Sequence, residues 1–95
     1  MQKSNYEQSA VTDDLEHCFL CGKSPVQFHH IFGAHNRMRA TEDNLFVPLC
    51  FECHVKVHNQ PSQELNYKLK QRGQWAYEET HTREEFRQRY GKSYL

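Results

Sequence analysis

The 95-residue sequence lacks any apolar segment of membrane-spanning length, and its first residues lack the charged-then-apolar pattern of a signal peptide. Hydrophobic residues make up only 37% of the chain. A core drawn from so short and polar a chain stabilises the fold only marginally, so we expect a cross-link, either disulfides or a metal. These absences predict one small cytoplasmic domain without contact to a membrane.

The chain also lacks net charge, because its 12 basic side chains are balanced by 12 acidic ones. This balance counts against a protein that holds DNA mainly by bulk electrostatic attraction. Seven histidines and any bound metal would add positive charge that the formal count omits. The composition therefore permits nucleic-acid binding but does not argue for it.

Four cysteines form two pairs, Cys18/Cys21 and Cys50/Cys53. Each spacing lets one tight turn point both sulfurs at a tetrahedral ion, and two such turns complete four ligands. Cytosolic thiols stay reduced, which favours zinc over disulfides. Free thiols or a redox CxxC are the alternatives, but neither explains two pairs in so short a chain. We predict a closed structural Zn²⁺ site.

A polar segment separates two short apolar clusters. Residues 26–32 and 45–49 predict two short strands, and residues 33–44 between them are expected to form a loop. Residues 53–58 predict the start of a helix that ends near Asn59 and Pro61.

The C-terminal third predicts two more helices. Ser62 can cap the first, which contains Leu65, Leu69 and Ala76 at helical spacing and which Gly73 is expected to weaken or interrupt. The aromatic residues of this third are interpreted as core residues: Trp75, Tyr77, Phe86 and Tyr90.

The second of these helices carries clear signals at both ends. Thr82 and Glu85 have the spacing of a capping box, Phe86 and Tyr90 share one face, and Gly91 suits the C-terminal end. The expected organisation is a flexible lead-in over residues 1–13, a zinc-framed core over residues 14–60, and a helical extension over residues 61–95 that packs on the core.

Histidines lie between and just after the cysteine pairs. His54 and His58 are four residues apart, so on a helix both project from one face, as metal coordination requires. His29 and His30 are neighbours on a predicted strand and point to opposite sides, which suggests different roles. One can bind metal while the other acts on substrate or water.

A mixed zinc site is a second arrangement of the same ligands. His54 and His58 could join Cys18 and Cys21 in a two-thiol, two-imidazole site. That arrangement leaves the second cysteine pair without a purpose, so the four-cysteine site is preferred.

The order His29-His30-Ile31, then Asn44-Leu45, then Leu49-Cys50-x-x-Cys53-His54 resembles the HNH endonuclease family, specifically its members with a four-cysteine zinc frame. The resemblance covers Cys18 to about His58. Residues 83–95 are similar to the tails of small HNH-like proteins of phages and prophages. The resemblance implies an α+β fold, namely a small zinc-stabilised ββα-metal domain with C-terminal helices.

The resemblance also implies a role for each matching residue. His30 corresponds to the general base that takes a proton from the attacking water, a task that suits a neutral imidazole. His29, His54 and His58 correspond to ligands of the catalytic divalent metal. Asn44 corresponds to the motif asparagine, which supports the base-bearing strand by hydrogen bonds.

The family's activity implies DNA as the substrate, cleaved by nicking or through both strands. Three imidazoles favour Zn²⁺, Ni²⁺, Co²⁺ or Mn²⁺, although Mg²⁺ is also used where an aspartate precedes the base. His35, Arg37 and Arg39 are candidate phosphate-binding residues, with a solvated surface loop as the alternative.

Zero formal charge predicts a weak unaided grip on DNA, which favours a homodimer or a phage or host partner in recombination or packaging. A phage-encoded chain would act in the cytoplasm of its bacterial host. Two other functions compete with the nuclease: a non-catalytic zinc-dependent nucleic-acid-binding module, and a structural zinc domain that acts through protein partners. Neither needs all four histidines together with Asn44, whereas cleavage needs nearly all of them.

Overall fold

The computed structural model describes residues 8–59 and 63–95. The elements follow in this order: β1 (Gln27–His30), a 3-10 turn (Ala34–Asn36), α1 (Arg37–Glu42), β2 (Phe46–Leu49), α2 (Phe51–Asn59), α3 (Glu64–Tyr77) and α4 (Arg83–Tyr90). Helices combined with a two-stranded sheet confirm the predicted α+β class. None of the helices in the described ranges is long and apolar enough to cross a membrane.

The two predicted strands are confirmed, and they pair antiparallel with His29 opposite Val47 and His30 opposite Phe46. All four residues of β2 are buried, because the strand lies between the helices and the first strand. In β1, Gln27 and Phe28 are exposed, His29 is buried and His30 is half-buried.

The segment between the strands is not a loop, and the prediction for residues 33–44 was wrong. It forms the 3-10 turn and α1, whose sequence Arg-Met-Arg-Ala-Thr-Glu contains good helix formers. Ala40 is the one residue of α1 that is buried, and it is completely inaccessible. One buried alanine does not produce the repeat of apolar residues by which an amphipathic helix is recognised, so the sequence pattern predicted a loop.

Helix α2 begins at Phe51, two residues before the predicted start, and ends at Asn59. Pro61 and Ser62 lie outside the described residues, as does the predicted boundary at residue 60. The residue before α3 is Gln63, which has a left-handed backbone (φ 59°) and makes no capping hydrogen bond with its side chain.

Helix α3 runs uninterrupted through Gly73, so the predicted break there was wrong. A Cβ at this position would lie 3.2 Å from side-chain atoms of both Ile31 and Phe32. The glycine therefore serves close packing of α3 on the chain that leaves β1.

The predicted ends of α4 are confirmed. The Thr82 hydroxyl accepts a hydrogen bond from the Glu85 amide (3.1 Å), and the Glu85 carboxylate accepts one from the Thr82 amide (2.8 Å). Gly91 ends the helix with φ 101°. The rings of Phe86 and Tyr90 stack with centroids 4.8 Å apart.

One hydrophobic core joins the strand region to the C-terminal helices. Phe32, which follows β1, contacts Phe86 and Tyr90 of α4 at centroid distances of 5.5 and 4.6 Å. Tyr77 belongs to the same cluster, as predicted. Trp75 does not, since 55% of its surface is exposed on the outer face of α3.

A polar network fixes α4 to the end of α1. Arg89 donates to Asp43 (2.6 Å) and Glu42 (2.7 Å), and the Tyr90 hydroxyl donates to Asp43 (2.5 Å). The Arg89 guanidinium thus donates to two carboxylates, one of which also accepts from the Tyr90 hydroxyl.

Residues 1–7 of the predicted lead-in lie outside the described part of the chain. The residues that follow contact the domain: the Ser9 hydroxyl donates to the Phe46 carbonyl (2.6 Å), and the Ala10 amide donates to the Asn44 carbonyl (2.8 Å). Ser9 is buried by this contact. The polar sequence of this segment gave no signal for it.

Candidate metal centre

The four cysteines lie together, as the spacing predicts. The sulfurs of Cys18, Cys21, Cys50 and Cys53 all lie within 4.8 Å of one another. Cys21 Sγ and Cys50 Sγ are 3.5 Å apart, well beyond the length of a disulfide, about 2.05 Å, and close to the spacing of about 3.8 Å between thiolates on tetrahedral zinc. The group can therefore hold a structural metal such as zinc.

Two tight turns build this cysteine group. In the first, the Gly22 amide donates to the Cys18 carbonyl (2.8 Å), and Gly22 has φ 83°, which glycine adopts without strain. The second is the entry into α2, where the His54 amide donates to the Cys50 carbonyl (2.9 Å).

The pKa values of the cysteine thiols differ from one another. Burial raises the pKa of Cys18, but backbone amides, including that of Cys50, donate to its sulfur and bring the pKa down to about 6. Burial and the neighbouring sulfurs raise the pKa of Cys53. Four thiolates cannot share this volume without a cation, so the donor set fits a thiophilic divalent metal.

The second potential metal group consists of His29, His54 and His58, whose ligand atoms lie within 4.8 Å of one another. The ring centroid of His29 is 5.2 Å from that of His54 and 5.3 Å from that of His58. The histidine and cysteine groups are separate, and all four cysteines belong to one of them. The structure therefore does not form the mixed site of two cysteines and two histidines.

The electrostatics of the histidine group suit a metal ligand set. Burial, and then the charges of His54 and His58, lower the pKa of His29 to about 4, so its imidazole is neutral at neutral pH. Its Nε2 atom is buried and has no hydrogen-bond partner within the described ranges. A buried, unpartnered acceptor beside two further imidazoles fits a divalent transition metal.

His30 lies in the same cleft as the three grouped histidines. This cleft has a volume of about 250 Å³ and is lined by His29, His30, His54, His58, Phe28 and Arg37, among others. Burial and then the positive charge of Arg37 lower the pKa of His30. One half-buried neutral imidazole and one guanidinium thus face the same small space as the candidate ligands.

The three candidate phosphate-binding residues differ in their position relative to the cleft. Arg37 lines the cleft, whereas Arg39 and His35 are not among its lining residues. The Arg39 guanidinium instead donates to the Asn36 side chain (3.1 Å). Arg37 is therefore the one of the three that the fold brings to the histidines.

Asn44 lies between α1 and β2 with a left-handed backbone (φ 59°), which asparagine tolerates better than most residues. In the ranges that the structure describes, its Oδ1 atom is buried without a hydrogen-bond partner. The next residue, Leu45, connects this segment to the end of β1: its carbonyl accepts a hydrogen bond from the Ile31 amide (3.1 Å).

One charged residue near the histidines was not predicted. The positive charge of Lys70, on α3, is among the influences that lower the pKa of His29. Lys70 sits in an ordinary helical pattern, so no sequence signal marks it. Only the packing of α3 against the end of β1 places it here.

No family model, curated protein or solved structure matches this chain. The likeness to HNH nucleases therefore remains a prediction carried by the residue pattern.

Proposed function

We propose that this protein is a metal-dependent HNH-type endonuclease that hydrolyses phosphodiester bonds in DNA. The observation that carries the proposal is the convergence of His29, His54 and His58 in a cleft shared with His30 and Arg37. Among the residues that the structure describes, the buried His29 Nε2 atom has no hydrogen-bond partner. A purely structural zinc domain has no use for this second group of ligands.

His30 acts as the general base. Its imidazole is half-buried and neutral at neutral pH, because burial and Arg37 disfavour the protonated form. It can therefore accept a proton from a water molecule positioned in the cleft. Its neighbour His29 faces the buried side of β1, so the two histidines serve separate tasks.

Arg37 binds the substrate phosphate. Its guanidinium lines the cleft and can donate paired hydrogen bonds to phosphate oxygens. His29, His54 and His58 would hold a divalent ion, which would supply Lewis-acid stabilisation of the charge on the phosphate and the leaving oxygen. Burial lowers the pKa of His29 and of His54, and α2 carries His54 and His58 on one face.

A plasmid-nicking assay tests this function. Purified protein is incubated with supercoiled, linear and single-stranded DNA in a series of Mg²⁺, Mn²⁺, Co²⁺, Ni²⁺ and Zn²⁺. We expect cleavage with at least one metal and a loss of about 100-fold or more in His30→Ala. His17→Ala is the matched control, because His17 is exposed, pairs with Asp14 and does not line the cleft.

Two results would contradict the proposal. Equal activity of His30→Ala and the unchanged chain would remove His30 as the base. DNA binding without cleavage under every metal would favour the non-catalytic nucleic-acid-binding module.

A further inference from the structure

Outside the histidine cleft, Lys70 of α3 and Lys92, which follows α4, lie against the same aromatic ring. The ammonium groups of Lys70 and Lys92 lie over the ring of Tyr94, at 5.3 and 5.1 Å from its centroid. One aromatic ring thus has two ammonium groups within 5.3 Å of its centroid, and the charge of Lys92 acts on Lys70.

Neither lysine has a carboxylate partner in residues 8–59 and 63–95. Other lysines of the chain do: Lys23 pairs with Glu52 at 3.7 Å, and Lys68 pairs with Glu64 at 3.6 Å. Burial and the nearby charge of Lys92 lower the pKa of Lys70. Lys70 and Lys92 repel each other, and no carboxylate of the described residues neutralises them. An anion would therefore bind favourably at this surface.

The fold holds this pair in place through a buried glutamine. Gln74 is completely inaccessible; its carbonyl oxygen accepts from the Tyr94 amide (2.7 Å), and its amide donates to the Ser93 hydroxyl (3.0 Å). Gln71 donates to the Tyr94 carbonyl (2.9 Å). The residues after Lys92 are therefore fixed on α3, so the lysines are preorganised before a ligand arrives.

The pair lies on the side of α3 that faces the histidine strand. Gly73 contacts Ile31 and Phe32 just beyond β1, and Lys70 is three residues earlier, so both positions lie on one side of the helix. The Lys70 charge also acts on His29. A chain of phosphates that enters the cleft can thus extend to the lysines.

We propose that Lys70 and Lys92 form a binding site for a backbone phosphate of the nucleic acid strand, adjacent to the phosphate that occupies the histidine cleft. This inference rests on the proposed function for the identity of the strand. The lysines are positioning residues, because they hold the substrate without touching the reacting atoms. Their contribution is to affinity and to its dependence on salt.

Binding measurements in the His30→Ala background test the site without cleavage. The anisotropy of a labelled duplex oligonucleotide gives the affinity over a series of salt concentrations. We expect Lys70→Gln/Lys92→Gln to weaken binding roughly 5- to 10-fold at about 0.1 M salt and to reduce the slope of log K against log salt by about 0.9. Lys70→Arg/Lys92→Arg should restore both values.

The matched control is Lys23→Gln/Lys68→Gln, which removes the same formal charge from two lysines that are already paired with glutamates. A control effect as large as that of the Lys70/Lys92 pair would overturn the site, since it would reflect total charge alone. An unchanged slope in Lys70→Gln/Lys92→Gln, or no nucleic-acid binding by the parent protein, would also overturn it. Far-ultraviolet circular dichroism verifies that each variant is folded.

Cleavage measured in parallel separates this inference from the proposed function. Lysine-dependent binding without cleavage in the His30-containing chain would support the phosphate site and contradict the nuclease. Cleavage whose KM is the same in Lys70→Gln/Lys92→Gln would support the nuclease and contradict the phosphate site. If both stand, KM rises by the fold-change in affinity while kcat is unchanged.

Discussion

Gly73 and Ile31 are in such close contact that a Cβ on the glycine would lie 3.2 Å from Cγ2 of the isoleucine. This contact joins α3 to the residue that directly follows the two histidines of β1. It sets how near α3 approaches the cleft, and it therefore links the core packing to the placement of Lys70.

Substitution of Gly73 by valine is expected to reduce the free energy of unfolding by about 2–3 kcal/mol, because the added methyl groups meet Ile31 and Phe32, which are buried and cannot withdraw. Urea denaturation followed by circular dichroism measures the change. Gly33→Ala is the control, since a Cβ there has no atom within 4 Å, and its effect should be within about 0.5 kcal/mol. A wild-type midpoint for Gly73→Val would contradict the close contact.

We expect the purified protein to carry about one tightly bound zinc ion per chain and Cys50→Ser to lose it together with the folded state, because a structural zinc site couples metal binding to folding. Metal analysis after dialysis and far-ultraviolet circular dichroism give the two readouts. His58→Ala should keep the zinc and the fold, since the cysteine group is intact. Zinc loss in His58→Ala with retention in Cys50→Ser would require a different ligand set.

Asp43→Asn is expected to destabilise the protein by about 1–3 kcal/mol, because it leaves the Arg89 guanidinium and the Tyr90 hydroxyl with a weaker acceptor in a partly buried network. Thermal unfolding reports the loss. Glu42→Gln provides the comparison: its side chain is 57% exposed, so the change should cost less than about 1 kcal/mol. Equal effects of the two variants would show that Asp43 has no special role.

The capping box of α4 predicts a specific dependence on pH. The Thr82 amide donates to the Glu85 carboxylate and is the main cause of a pKa below the ordinary 4.5. Because the pKa is lower in the folded state, the stabilisation is present above the unfolded pKa and is lost as pH falls through the folded one. Glu85→Gln keeps the hydrogen-bonding group but does not titrate.

The measurement compares the unfolding midpoints of Glu85→Gln and the unchanged chain between pH 7 and pH 3. The advantage of glutamate over glutamine should shrink as the pH approaches 3. A constant difference across this range would mean that the carboxylate contributes nothing through its charge.

The elements that the sequence predicts well are those with strong local signals. The capping box of Thr82 and Glu85 and the two cysteine turns depend on residues a few positions apart, and all appear as expected. The spacing of His54 and His58 likewise places both on one face of α2. Local geometry alone decides these features.

The features that could not be predicted depend on contacts between distant segments. Gly73 has an unfavourable helix propensity, and only its contact with Ile31 explains its place inside α3. The helix α1 is held by the single buried Ala40, which has no periodic signature. The influence of Lys70 on His29, 41 positions away in sequence, likewise depends on tertiary packing.

The start of α2 connects the cysteine group to the histidine group. Cys50 and Cys53 flank its start, and His54 donates its amide to the Cys50 carbonyl at 2.9 Å. An ion on the cysteines would restrict this turn and so lower the entropy that His54 and His58 lose when they bind a second ion. In the proposed enzyme, occupancy of either group would therefore raise the affinity of the other by the same factor, and the two metals would load cooperatively.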